Sequence, residues 1–128
     1  MTERADPHAR RKAAERRGRR GEIWAALILT LKGYRILGRR VRTHAGEIDL
    51  VARTLSGVVC FIEVKARPET REAAQSVLPR QQARIARAAA LYLAARPGLG
   101  AKGVRFDVVT VAPGSVPRHL RDAWRPTG

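Results

Sequence analysis

The stretch EIDLVARTLSGVVCFIEVKAR, residues 47–67, places three acidic residues inside a sequence that otherwise has the apolar character of β-strands. Side chains alternate along a strand, so Glu47 and Asp49 share one face while Ile48 and Leu50 take the other. In the next strand, Val58 to Ala66, the residues Phe61, Glu63 and Lys65 share a face opposite Cys60, Ile62 and Val64. A turn at Leu55-Ser56-Gly57 is short enough to lay the two strands side by side, bringing Asp49 and Glu63 within reach of one point. Two close carboxylates repel, and burying either one unpaired is costly or forces it to stay protonated. A divalent cation resolves that conflict, and few hard oxygen ligands with positions open for water and phosphate suit Mg²⁺ (or Mn²⁺) better than a calcium cage. Lys65, two residues from Glu63 on the same face, could position or deprotonate water and stabilise charge on a phosphate.

The remaining sequence supplies a frame for those strands. Residues 1–20 hold seven arginines and one lysine with almost no apolar face, which predicts a flexible arm, or a helix that orders only on a polyanion. Residues 21–112 are expected to form the folded domain, and 113–128 a Pro- and Gly-rich tail that adds little. GEIWAALILTLK, from Gly21, is apolar nearly all round and predicts a buried helix ended by Gly33, with Glu22 in its first turn. Tyr34 to Thr43 predicts a strand with a bulge at Gly38, Pro79 opens a helix running through Arg96, and Val104 to Val111 predicts a last strand. The expected fold is therefore mixed α/β in the order helix, three strands, helix, strand. It is a central mixed four-stranded sheet flanked by helices, with the metal site on one sheet edge.

Charge points to the partner. Lys and Arg number 26 against 11 Asp and Glu, for a formal net charge of +15, a surplus that in so small a domain suits a polyanion. The arginines before the apolar run of residues 23–31 superficially imitate an export signal. Glu22 interrupts its entry, no cleavage site follows, and nine residues cannot span a bilayer, so no membrane role is expected. Cys60, the lone cysteine, reads as a small buried hydrophobe in a reducing cytoplasm. Low aromatic content, 5%, gives little support to base stacking on single strands.

Taken singly, Glu47 and Asp49 would belong to a solvated face, and Glu63 with Lys65 to an ion pair of small worth. Repetition of the pattern on neighbouring strands of so basic a chain favours the metal site. Asp107, inside an apolar strand, is expected to pair with Arg105 or Arg42; His8, His44 and His119 are scattered and read as surface residues.

These blocks carry a resemblance. GEIDLVAR followed by VVCFIEVKAR resembles the Asp … Glu-x-Lys signature of the PD-(D/E)xK, or restriction-endonuclease-like, nuclease superfamily. Together with GRRGEIWAA, KGYRIL, PRQQARI and VRFDVV, in that order over residues 18–111, they resemble the YraN-like family of small bacterial proteins, distantly similar to archaeal Holliday-junction resolvases. The resemblance implies Asp49 and Glu63 as metal ligands, Lys65 as the catalytic lysine, Glu22 as a supporting helix acid and Gln82 as the polar residue of the following helix. Gln81 departs from the pattern, since that position is more often lysine, which leaves Arg80 or Arg84 to supply the missing basic contact. Several nucleases of the superfamily act as dimers, so the resemblance admits a homodimer, although no interface is legible.

The expected activity is metal-dependent cleavage of DNA, with branched or structured DNA preferred by analogy. The alternative is a module that keeps the fold and binds nucleic acid without cutting it. An RNA- or ribosome-associated protein would leave the buried acids unexplained. Phosphate contacts are expected from the arm together with Arg39, Arg40, Arg42, Arg67, Arg80 and Arg84. DNA affinity should therefore fall by on the order of a thousandfold between about 50 and about 200 mM salt, and removing residues 1–20 should flatten that slope. A titration in which affinity holds constant as salt rises contradicts the electrostatic account.

Overall fold

A computed structural model describes residues 21–66 and 79–126. The chain forms helix α1 (residues 21–31), strands β1 (Arg35–Thr43), β2 (Gly46–Arg53) and β3 (Val59–Lys65), helix α2 (Pro79–Ala94), then strands β4 (Val104–Thr110) and β5 (Arg118–Leu120). The sheet has five strands in the order β1-β2-β3-β4-β5, with β3 and β4 parallel and every other pair antiparallel. The architecture is the expected mixed α/β, but the sheet has a fifth strand. The segment SVPRHL, expected to belong to a tail that adds little, instead pairs residues 118–120 with β4.

Each helix covers one face of the sheet. Ala25 and Leu29 of α1 pack on Leu50, Ala52, Cys60, Ile62 and Val109, while Ile85, Ala88, Ala89 and Tyr92 of α2 pack on Ile48, Val51, Phe61, Phe106 and Val108. The central strand β3 feeds both layers by alternation, which is why its sequence is almost continuously apolar. Gly33 ends α1 as expected, with φ near 93° and a hydrogen bond from Tyr34 N to Leu29 O at 3.0 Å. The prediction that α1 is buried all round fails, because Ile23, Trp24, Leu27 and Leu31 are exposed.

Strand β1 carries the expected irregularity between Ile36 and Gly38, and a second one at Arg40, whose φ of 51° is left-handed. Arg39 pairs with Leu50 and Val41 with Ile48, yet Leu50 lies under α1 and Ile48 under α2. The alternation of both strands thus inverts across Arg40 and Asp49. That inversion lets a carboxylate sit between two apolar residues that face opposite layers.

Beyond β4 the chain is held by Asp107, which is fully buried. Its carboxylate accepts hydrogen bonds from Arg105 Nε and Nη2 at 2.9 and 2.8 Å and from Asp122 N at 2.9 Å, and it lies 2.8 Å from His119 Nε2. Arg105 also donates to the Tyr34 hydroxyl at 2.7 Å, tying β4 to the end of α1. Burial alone would raise the Asp107 pKa, but the bonds from His119, Arg105 and the Asp122 amide hold it below the ordinary value. Arg105 is thus the partner of Asp107. His119, expected on the surface, has a fully buried side chain; His44 is exposed, and His8 lies outside the described residues. Trp124 completes this end by packing on Phe106 with ring centroids 4.4 Å apart.

Replacing Asp107 with Asn removes a buried charge while leaving the facing Arg105 in place, so stability should fall by about 3 kcal/mol. Urea unfolding monitored by circular dichroism checks this, and a change within experimental error contradicts the proposed weight of the cluster.

Candidate functional site

Pairing of β2 with β3 runs from Arg53↔Val59 to Leu50↔Ile62 and stops there. At the next position the Val64 amide donates instead to Asp49 Oδ2 at 2.8 Å. A side chain has taken the place of a main-chain acceptor, and the strands part where Asp49 and Glu63 stand opposite each other. Both acids therefore sit on inner strands, at a lapse in the ladder rather than at the sheet edge expected from the sequence.

The helix α2 closes this opening with Gln81. Its Nε2 donates to Glu63 Oε1 at 2.7 Å, and its Oε1 accepts from Lys65 Nζ at 3.2 Å. One amide thereby fixes an acid and a base two residues apart on β3. Gln82, the residue chosen from the resemblance, is half-buried beside it in the first turn of α2. Only the glutamine pair was legible in the sequence; which of its members reaches β3 depends on how α2 is set on the sheet. Arg84 comes in from the same helix, with its Cδ 3.0 Å from where a Gly46 Cβ would stand, and its charge acts on Glu63. Gly46 has φ near 145°, so its lack of a side chain both makes the turn and admits the arginine.

From the other face, α1 contributes Glu22. Arg40 Nε lies 3.8 Å from Glu22 Oε2 and 3.4 Å from Glu47 Oε1, and Arg42 Nε lies 3.7 Å from Glu47 Oε2. The left-handed Arg40 thus clamps the acids that flank Asp49. Glu22, Ile23, Arg39 and Arg40 line an open cleft of about 430 Å³. A cleft of similar size lined by Val58, Arg105 and Arg125 holds none of the expected catalytic, metal-binding or nucleic-acid-binding residues. Arg39, Arg42 and Arg80 are exposed, whereas Arg67 lies outside the described residues.

Electrostatics single out the two opposed carboxyls. Burial, then the charge of Asp49, pushes the Glu63 pKa up to about 7, against the lowering effects of Lys65, Arg84 and the Gln81 hydrogen bond. Asp49 is raised by burial despite the Val64 hydrogen bond, and Glu22 is raised by burial and then by Asp49. By contrast burial pushes the Cys60 thiol up to about 11, which leaves it un-ionised and inert near neutral pH.

Asp49 and Glu63 are each oriented through one oxygen, and among the described residues no group of three His, Cys, Asp or Glu side chains gathers to hold a metal ion. Two carboxylates are too few for a zinc or calcium cage of protein ligands alone. They fit Mg²⁺, which keeps several waters and completes its shell with substrate phosphate.

Glu63 provides a pH signature. Because its folded pKa lies above the ordinary value of 4.5, the unfolded chain releases the proton first as pH rises. Stability in cation-free buffer should therefore be greatest below about pH 4.5 for this group and decline through about pH 7, by on the order of 2 to 3 kcal/mol. Glu63→Gln should make that decline shallower, leaving the part due to Asp49 and Glu22, whose carboxyls burial also raises, and denaturant titrations at several pH values measure the difference. An equal slope in the variant contradicts the assignment.

Among proteins of known sequence, a UPF0102 protein of Paramagnetospirillum magneticum is 50% identical over 125 residues, covering 94% of this chain and 96% of that protein. Another, from Parvibaculum lavamentivorans, is 53% identical over 114 residues, covering 89% of this chain and 85% of that protein. A third, from Maricaulis maris, is 52% identical over 116 residues, covering 91% of both. Residues 21–111, which carry Glu22, Asp49, Glu63, Lys65 and Gln81, match the family described as "Uncharacterised protein family UPF0102", and the chain belongs to that family.

Proposed function

We propose that this chain is a metal-dependent endonuclease of restriction-endonuclease-like fold acting on DNA. The observation that carries the reading is the pairing of two opposed, half-buried carboxyls with a lysine tied to one of them through Gln81. A structural ion pair would not require the bridging glutamine, and a solvated acidic face would not raise the Glu63 pKa. The basic excess of the chain then supplies the means to hold a polyanion.

Mg²⁺, or Mn²⁺ in its place, held by Asp49 and Glu63 would supply the positive charge that polarises a scissile phosphate. Lys65, oriented by Gln81, places its ammonium where it can hold the attacking water or the phosphate oxygen. Glu22 adds a further carboxyl within electrostatic reach of Asp49, and Gln82 stands beside Gln81 as a polar contact. Arg39, Arg42, Arg80 and Arg84 position the duplex backbone; Arg40 shares that work with its clamp on Glu22 and Glu47. Branched DNA is the proposed preferred substrate, by analogy with the resolvases. A cytoplasmic location follows from that substrate, and no helix among the described residues is long and apolar enough to cross a membrane.

The test is a panel of linear, nicked, flapped and four-way-junction DNA with Mg²⁺, Mn²⁺ or chelator. Glu63→Gln should weaken cation binding and keep DNA binding, whereas Lys65→Met should keep both; each should lower cleavage by on the order of 100-fold or more. No cleavage by the unaltered protein on any of these substrates would leave a nucleic-acid-binding module. Cleavage that persists in both variants would remove the roles given to Glu63 and Lys65.

A further inference from the structure

Thr110, the last residue of β4, is 1% exposed, and among the described residues its hydroxyl has no hydrogen-bond partner. An unpaired buried hydroxyl is costly, whereas valine offers nearly the same shape, suits a strand as well and leaves nothing unsatisfied. Residues 108, 109 and 111 of this segment are all valine. The other buried group of this kind, Trp124 Nε1, belongs to a ring that packs on Phe106 and needs no further reason to be there. At residue 110 only the oxygen separates the side chain from its valine neighbours, so the oxygen calls for a partner.

The strand register sets that oxygen beside the candidate site. Thr110 stands opposite Lys65 of β3 and opposite Arg118 of β5, each one strand spacing, about 5 Å, away. Residues in register share a face of the sheet, and the preceding row on that face is Glu63, Val108 and Leu120, with Val108 and Leu120 in the layer that α2 covers. Arg118 is exposed, whereas Lys65 is half-buried and so the nearer donor to a buried oxygen. Lys65 carries three ammonium hydrogens and gives one to Gln81 Oε1 at 3.2 Å. The same amide holds Glu63 Oε1 at 2.7 Å, so this anchor lasts only while Gln81 stays on the glutamate. Among the described residues, a lysine with donors to spare and a hydroxyl without a partner are therefore neighbours on adjacent strands.

We propose that Thr110 is a positioning residue for Lys65: its hydroxyl accepts from the ammonium when Gln81 lets go, which gives the lysine a second berth on the sheet. The four-carbon stem of lysine reaches a neighbouring strand by a change of rotamer, with no movement of the backbone. The two berths differ in what else they touch. Gln81 ties the ammonium to Glu63, whereas Thr110 ties it to β4, whose pairing with β3 is continuous from Val59↔Val104 to Lys65↔Thr110. On Thr110 the lysine keeps its place next to the acid while Glu63 is free to change partners. That use during cleavage rests on the endonuclease reading of the same site; the bond between Lys65 and Thr110 does not.

The first test uses the full chain and needs neither DNA nor metal. The lysines are Lys12, Lys32, Lys65 and Lys102, so in ¹H–¹⁵N spectra of the ammonium groups in mildly acidic buffer the Lys65 signal is the one missing from Lys65→Met. That signal should persist in Gln81→Ala and in Thr110→Val, where one berth remains, and vanish in the double variant, which has none. Thr110→Val should also raise the melting temperature by about 3 °C, because it removes an unpaired hydroxyl. A signal lost in Gln81→Ala alone, a signal that survives in the double variant, or a valine variant that melts lower overturns the proposal. On DNA that the protein cleaves, Thr110→Val should lower kcat by about tenfold at unchanged KM, and Thr110→Ser should restore it; an equal kcat in the valine variant overturns the positioning role. Absence of cleavage removes the endonuclease reading alone, since the ammonium signals still decide whether Lys65 pairs with Thr110.

Discussion

The hydrogen bond from Val64 N to Asp49 Oδ2 is the point on which the architecture of the site turns. Had β2 and β3 continued their ladder, Asp49 and Glu63 would be neighbours on a flat, fully paired sheet. By taking the Val64 amide, the Asp49 side chain satisfies the backbone while allowing the strands to part, and the left-handed Arg40 inverts β1 and β2 around the same position. A non-glycine residue in that conformation costs on the order of 1 kcal/mol or more, and here it places a guanidinium between Glu22 and Glu47.

The protein buries carboxylates in two ways. Asp107 meets Arg105, His119 and the Asp122 amide, so its charge is compensated and its pKa is depressed. Asp49 and Glu63 receive one hydrogen bond each from the described residues and sit close enough to raise the cost of ionisation. The first arrangement is a closed structural cluster that joins β4, β5 and the end of α1. The second is an open charge deficit, which is what a cation and a phosphate can complete.

The short turn was enough to place Asp49 and Glu63 on adjacent strands, but plain alternation put Ile48 and Leu50 on one face, and the inversion at Asp49 sends them to opposite ones; the spacing of Arg105 and Asp107 on one strand face made Arg105 one of two legible partners, with Arg42 the other. The bulge near Gly38 was readable because glycine marks such sites. Arg40 was not, since nothing in its residue type signals a left-handed backbone. The bridging role of Gln81 depends on how far α2 is rotated over the sheet, information spread across the whole core. His119 was hidden for a related reason: three residues between prolines and a turn form a strand only because β4 has an open edge to receive them. The helix α1 misled through its own uniformity, because a segment apolar all round does not say which side the sheet will take.

The two carboxylate clusters also differ in how far apart in the chain their members lie. Asp49 and Val64 are separated by 15 residues and belong to a meander of β1, β2 and β3 joined by short turns. The contacts that seal the other end join Tyr34 to Arg105 across 71 residues, and Lys32 to His119, 3.5 Å apart, across 87. Loop-closure entropy grows with that separation, so the meander is the cheaper piece to assemble and the Asp107 cluster the dearer one. The half of the chain that bears the opposed acids is therefore the half that can order first, and the buried ion cluster acts as a late clasp on a site whose strands are already in register.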